Sequence, residues 1–122
     1  MLLKLLKQTL NIKILIHQIK IIKEALWSTN RDLYFINNGA GSYVSENYCE
    51  NNFLGGRVKI KSVSIDSFIK DNKLEKFDFL KLDVEGAELN VLFGAIESIK
   101  KYRPKLAISI YHSLEDFFDI PF

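Results

Sequence analysis

Two short polar groups interrupt the apolar second half of the chain. Asp83-Val84-Glu85-Gly86 follows the apolar run Phe77 to Leu82, and Tyr111-His112 closes the run that begins at Leu106. A carboxylate set beside an imidazole can orient or deprotonate a hydroxyl. The same oxygens and nitrogen can instead ligate a divalent metal. Plainer roles stand beside these. Asp83 can cap the helix that follows it, Glu85 and Glu88 can offset the positive end of that helix, and His112 can be an exposed turn residue. A third candidate, Asn38-Gly39-Ala40-Gly41-Ser42, has the look of a clipped cofactor loop. Such a loop must open a helix so that its N–H groups and dipole meet the ligand. Tyr43 to Asn52 is polar and has no apolar helical face, so this segment reads as a flexible loop.

The elements that must position these groups follow from periodicity. Phe77 to Leu82 is a short apolar strand interrupted by Lys81. Ala87 to Tyr102 has helical spacing, with Leu89, Leu92, Phe93, Ile96 and Ile99 on one face, and Pro104 stops it. Leu106 to Tyr111 is a second apolar strand. Strand, crossover helix and strand make a βαβ unit, whose strands are parallel and whose connection is right-handed. In open α/β sheets ligands bind at the C-terminal ends of such strands. Both polar groups lie there, and they meet if the two strands are neighbours. A last helix is expected from Ser113 through Phe117.

Upstream, Asp32 to Ile36 reads as a strand and Asn37 to Gly56 as loop. Val58 to Ile65 alternates and pairs antiparallel with the Asp32 strand. Asp66 then stands where a helix N-cap belongs. Leu2 to Leu10 reads as a short helix, and part of the isoleucine-rich stretch Ile12 to Leu26 as a strand. The fold class is α/β, with an antiparallel hairpin inserted before the βαβ unit.

Composition narrows the function classes. The chain has 122 residues, of which 48% are hydrophobic and 26% charged, which is ordinary for one globular domain. A net charge of +2 is too small to argue for a nucleic-acid partner. Cys49 is the lone cysteine, so no internal disulfide forms and a cytoplasmic location is expected. No uncharged apolar run approaches the ~18 residues of a transmembrane helix. Lys4, Lys7, Lys13, Lys20 and Lys23 scatter over more than half of a helical wheel, which fits a single membrane-surface helix poorly.

Together, Ser64-Ile65-Asp66-Ser67-Phe68, the run Phe77-Asp78-Phe79-Leu80-Lys81-Leu82-Asp83-Val84-Glu85-Gly86-Ala87-Glu88, Leu92-Phe93-Gly94-Ala95, Pro104-Lys105-Leu106-Ala107 and Ile110-Tyr111-His112 resemble the signature of the FkbM methyltransferases. Ala25-Leu26-Trp27 and Gly39-Ala40-Gly41-Ser42 are also similar to that family. The resemblance runs from about Lys20 onward. It implies a partial Rossmann-like methyltransferase sheet, in which the Phe77 strand is the fourth and the Leu106 strand the fifth. It implies methyl transfer from S-adenosylmethionine to a hydroxyl of a sugar or secondary metabolite, so the acceptor is a small molecule or glycan. Asp83, Glu85 and His112 then border the donor and acceptor pocket as catalytic residues, with Asp83 also toward the cofactor. Ser42, in the covering loop, and Tyr111 lie toward the acceptor.

The glycine-rich cofactor loop and the ribose-binding acid of such enzymes do not occur ahead of Leu2. Residues 1–122 are therefore expected to form a single incomplete domain, inactive on its own. Two other classes stay open. One is a non-catalytic α/β module that binds a partner, or itself, through an exposed sheet edge. The other is a membrane-surface protein tethered through Met1 to Leu26.

Overall fold

A computed structural model describes residues 19–37, 42–47, 57–112 and 118–120. The helix expected over Leu2 to Leu10, the loop Asn38 to Gly41 and the helix expected over Ser113 to Phe117 lie outside the described residues. The architecture is mixed α/β, with helices packed against a curled mixed sheet and a separate parallel strand pair. It is compatible with part of a Rossmann-like methyltransferase fold.

The first sheet has the order β1-β4-β2-β3. Strand β2, Asp32–Ile36, runs antiparallel to β4, Arg57–Val63, with Leu33 opposite Ile60 and Phe35 opposite Val58. This is the expected antiparallel pair. Two corrections concern its neighbours. The segment read as loop contains β3, Tyr43–Ser45, which pairs antiparallel with Tyr34 to Ile36. Its strand character comes from the free edge of β2, a long-range partner that local polarity does not reveal. In the isoleucine-rich stretch, the described strand is only β1, Ala25–Leu26, parallel to Ser62 and Val63 of β4. Ile19 to Glu24 run without regular pairing, and Ile19 and Ile21 are exposed.

The connection from β1 to β2 is pinned by side chains. Ser62 Oγ donates to Thr29 O at 2.8 Å and accepts from Arg31 N at 3.2 Å, while Asn30 Oδ1 accepts from Ser64 N at 2.9 Å. Helix α1, Ile65–Asp71, follows β4, and its N-cap is Ser64, whose hydroxyl accepts from Ser67 N. Asp66, expected as that cap, sits two residues further in, within the first turn, and serves another helix. Its two oxygens accept from Glu97 N at 3.2 Å and Ser98 N at 2.8 Å, thereby capping α3, Ile96–Tyr102.

The second sheet is the expected parallel pair: β5, Phe79–Leu82, against β6, Lys105–Ile108, with Leu80 opposite Leu106 and Leu82 opposite Ile108. Its crossover is two helices rather than one. Helix α2, Glu88–Phe93, stops at Gly94, and α3 begins after Ala95. The break has a packing cause. A Cβ on Gly94 would lie 2.3 Å from Trp27 O and 3.0 Å from both Ser28 Cα and Ser64 Cβ. The helix therefore turns where it meets the backbone that leaves β1.

That close approach also rotates the buried face. Within the crossover helices and their link, Glu88, Val91, Ala95 and Ser98 are 5% exposed or less, whereas Phe93 and Ile96 are 55% and 38% exposed. Val91 and Ala95 pack with Leu80, Leu82, Ile65 and Ile69, with Leu92 and Ile99 partly buried against them, while Phe93 and Ile96 lie outward. Two clusters form the core. Ile65, Ile69, Leu80, Leu82, Val91 and Ala95 make one, and Trp27, Leu33 and Ala87 the other. Val84 packs against both, so the residue next to Asp83 lies at the seam.

Candidate functional site

The site begins at the C-terminal end of β5. Between Val84 and Ala87 the chain reverses through two residues with positive φ, Glu85 at 52° and Gly86 at 88°, and Ala87 N donates to Val84 O at 3.2 Å. Positive φ is free for Gly86 but costs Glu85 about 1 kcal/mol or more. Glu88 holds this turn. It is fully buried, and its Oε1 accepts from Val84 N and its Oε2 from Gly86 N, each at 2.9 Å. A buried carboxylate is tolerated only when its oxygens find donors, and here the turn itself supplies them.

The end of β6 brings the second group to the same place. His112 Nδ1 is 3.0 Å from Glu88 Oε1. The carboxylate already accepts two N–H bonds, and a tautomer with its proton on Nδ1 adds a third donor to it. The other ring nitrogen, Nε2, lies 3.6 Å from Asp83 Oδ1 and 3.4 Å from Glu85 Oε2. Tyr111 donates its hydroxyl to Asp83 Oδ1 at 3.0 Å, and its ring lies 4.3 Å from the His112 ring at a tilt of 46°. The Tyr111 and Ser109 hydroxyls hold the Asp83 carboxyl below the usual carboxylate range, against some desolvation, with smaller help from Lys81 and His112. Asp83 is thus an ionised acceptor throughout the neutral range.

Asp83, Glu85, Tyr111 and His112 accordingly stand together across neighbouring parallel strands, as the βαβ reading requires. Ser42 does not join them through a described contact. It precedes β3, and its hydroxyl donates to Asn37 Oδ1 at 3.4 Å on the first sheet. Glu88 is the residue that the sequence reading left among the helix-dipole acids. The signal that finds it is spacing: Glu88, Val91 and Ala95 fall at i, i+3 and i+7, which puts an acid on the buried stripe of a helix.

What the arrangement offers is an exposed carboxylate pair beside an imidazole held from behind by the buried Glu88. Asp83, Glu88 and His112 each present a ligand atom within 4.8 Å of the others. Among the described residues, no helix is long and apolar enough to cross a membrane.

A sequence model of the methyltransferase FkbM domain matches residues 3–121. No curated protein and no solved structure matches the chain. The family match spans almost the whole sequence, and the chain belongs to the FkbM methyltransferase family.

Proposed function

From that membership we propose that the chain serves O-methylation, with S-adenosylmethionine as donor and a hydroxyl of a sugar or secondary metabolite as acceptor. The observation that carries the reading is the meeting of Asp83 and His112 at the C-terminal ends of two parallel strands, where this class of fold binds its ligands. The donor's chemistry fits the residues present. S-adenosylmethionine carries a sulfonium and an ammonium charge, and Asp83 presents an ionised carboxylate with 40% of its side chain exposed. When bound, the donor supplies an electrophilic methyl group whose sulfur departs as a neutral thioether.

The chain's own residues act on the acceptor. The Asp83, Glu85 and His112 group receives the acceptor hydroxyl and draws its proton away as the oxygen attacks the methyl carbon. Holding the two reactants in line contributes more than any single proton transfer. Tyr111, 73% exposed, offers its ring to the acceptor while its hydroxyl keeps Asp83 oriented. Ser42 is proposed to reach the acceptor from the loop that precedes β3. A cytoplasmic setting is part of this proposal; among the described residues no helix is long and apolar enough to cross a membrane.

The test is transfer of labelled methyl from S-adenosylmethionine to a panel of sugar and secondary-metabolite alcohols by the native protein. Asp83→Asn and His112→Ala are expected to lower turnover about 100-fold or more, the usual weight of a positioned acid–base group, with the melting temperature nearly unchanged in Asp83→Asn and lowered in His112→Ala, which takes a partner from the buried Glu88. Asparagine caps a helix about as well as aspartate. Wild-type turnover in both variants would therefore return Asp83 to capping and His112 to an ordinary turn.

A further inference from the structure

We propose that Glu88 is a positioning residue for methyl transfer: from the interior it fixes where Asp83 and Glu85 stand, and it touches no ligand itself. The inference rests on the acceptor-side role assigned above to those two acids. Helix α2 begins at Glu88, after Ala87, whose side chain makes no cap hydrogen bond. An acid in the first turn of a helix ordinarily stays in water and offsets the free N–H groups and positive end of its own helix. Glu88 is instead fully buried and reaches backward, out of the helix, to Val84 N and Gly86 N at 2.9 Å each.

Those two N–H groups are placed to govern the site acids. Val84 N lies in the peptide that follows Asp83, and Gly86 N in the peptide that follows Glu85. A peptide group is planar, so holding its N–H holds the plane from which the preceding residue hangs. One oxygen of Glu88 thus sets the peptide after Asp83, and the other sets the peptide after Glu85. Gripped on both sides, Glu85 takes a φ of 52°, and its carboxylate comes to 3.4 Å from His112 Nε2. A residue other than glycine keeps such a φ only where its surroundings over-determine it, and strain of this kind gathers at functional sites.

The same carboxyl group lies 3.0 Å from His112 Nδ1, so one buried side chain ties the end of β5 to the end of β6. Stability alone does not call for this arrangement. Apolar side chains of similar volume often replace buried charged groups without loss to the fold. What an apolar side chain cannot do is hold two peptide planes and a ring at once.

Glu88→Gln keeps the size of the side chain but leaves one oxygen, and its NH₂ group then faces an N–H it cannot accept. One of the two peptides is released. Methyl transfer is measured as kcat per folded molecule, well below the melting temperature, and the Asp83 carboxyl is titrated by its carbon-13 resonance. Glu88→Gln is expected to lower kcat about 100-fold, the loss that a displacement of about 1 Å brings. Its Asp83 midpoint should rise toward the ordinary carboxylate value as the carboxyl leaves the Tyr111 and Ser109 hydroxyls. Gly86→Ala disturbs the same turn from its exposed side. The φ there is 88°, and the added Cβ meets only His112 Cβ at 4.0 Å, so the core is spared and the same two changes are expected. Asp66→Ala, which uncaps α3 without touching the turn, should lower the melting temperature and leave kcat and the Asp83 midpoint as in wild type. Folded Glu88→Gln chain with wild-type kcat or a wild-type Asp83 midpoint overturns the proposal. If Glu88→Gln fails to fold, the same result in Gly86→Ala overturns it. Native protein that transfers methyl to no alcohol would sink the O-methylation reading alone, and the Asp83 midpoint in the variants would still decide whether Glu88 positions that acid.

Discussion

The two sheets treat their charges in opposite ways. In the first, each acid described in an ion pair has a basic partner. Asp32 pairs with Lys59 at 2.8 Å, and Glu46 takes both Arg31 at 2.8 Å and the indole N–H of Trp27 at 2.7 Å. In the second, Asp83, Glu85 and Glu88 converge on one histidine. Cross-strand pairs of opposite charge steady a sheet modestly and ask for nothing further. A surplus of like charge destabilises the fold unless something else arrives, and surpluses of that kind mark functional sites. The contrast is between a sheet whose charges pair off and a strand pair whose acids gather on one histidine.

The seam between the two regions is where that contrast can be broken most severely. Gly94→Ala should cost about 3 kcal/mol, since backbone atoms of Trp27 and Ser28 stand where the methyl must go and neither can rotate away. Urea unfolding at constant slope would measure it. A loss below about 0.5 kcal/mol would mean that the crossover can lift off the first sheet.

A smaller effect is expected at Asp66, the acid that ties α1 to α3. Asp66→Ala should destabilise by about 1 kcal/mol and Asp66→Asn by much less, because either side chain can accept from Ser98 N. If asparagine proves as damaging as alanine, the negative charge rather than the cap is what α3 requires.

The finest comparison is between the two depressed carboxyls. Asp32 is held below its ordinary range first by the Lys59 hydrogen bond and charge, Asp83 first by the Tyr111 and Ser109 hydroxyls. Both groups have folded-state values below the unfolded one. Each therefore contributes stability that is present above about pH 4 and is lost as pH falls through the folded value. Carbon-13 titration should show the Asp32 midpoint rising in about 1 M salt, where an exposed ion pair is screened, while that of Asp83 stays put. Tyr111→Phe should raise the Asp83 midpoint and leave Asp32 alone. Equal movement of both with salt would show that charge, not the hydroxyls, governs Asp83.

Much of this architecture was legible from local pattern. The Asp32 strand, its antiparallel partner and the parallel pair on either side of a helical crossover follow from alternation, apolar runs and Pro104. The rule that parallel strands present ligands at their C-terminal ends brought Asp83, Glu85, Tyr111 and His112 forward as candidates. Their family signature is likewise a property of the linear sequence.

Other features depend on what lies opposite. Periodicity put Phe93 and Ile96 on the inner face of one continuous helix, and no local rule predicts that Trp27 O would come within 2.3 Å of a Cβ at Gly94. That contact falls where the helix breaks. Ser64 caps α1 through a local bond to Ser67 N, while the engagement of Asp66 by α3 is a long-range contact that no local rule gives. Burial is the physical reason in each case. A side chain's spacing is local, but its desolvation depends on atoms far away in sequence. The sequence by itself determined which residues stand as candidates and which strand ends present them; only tertiary packing determined that Glu88 would lose its water, grip the turn and meet His112 beside Asp83 and Glu85.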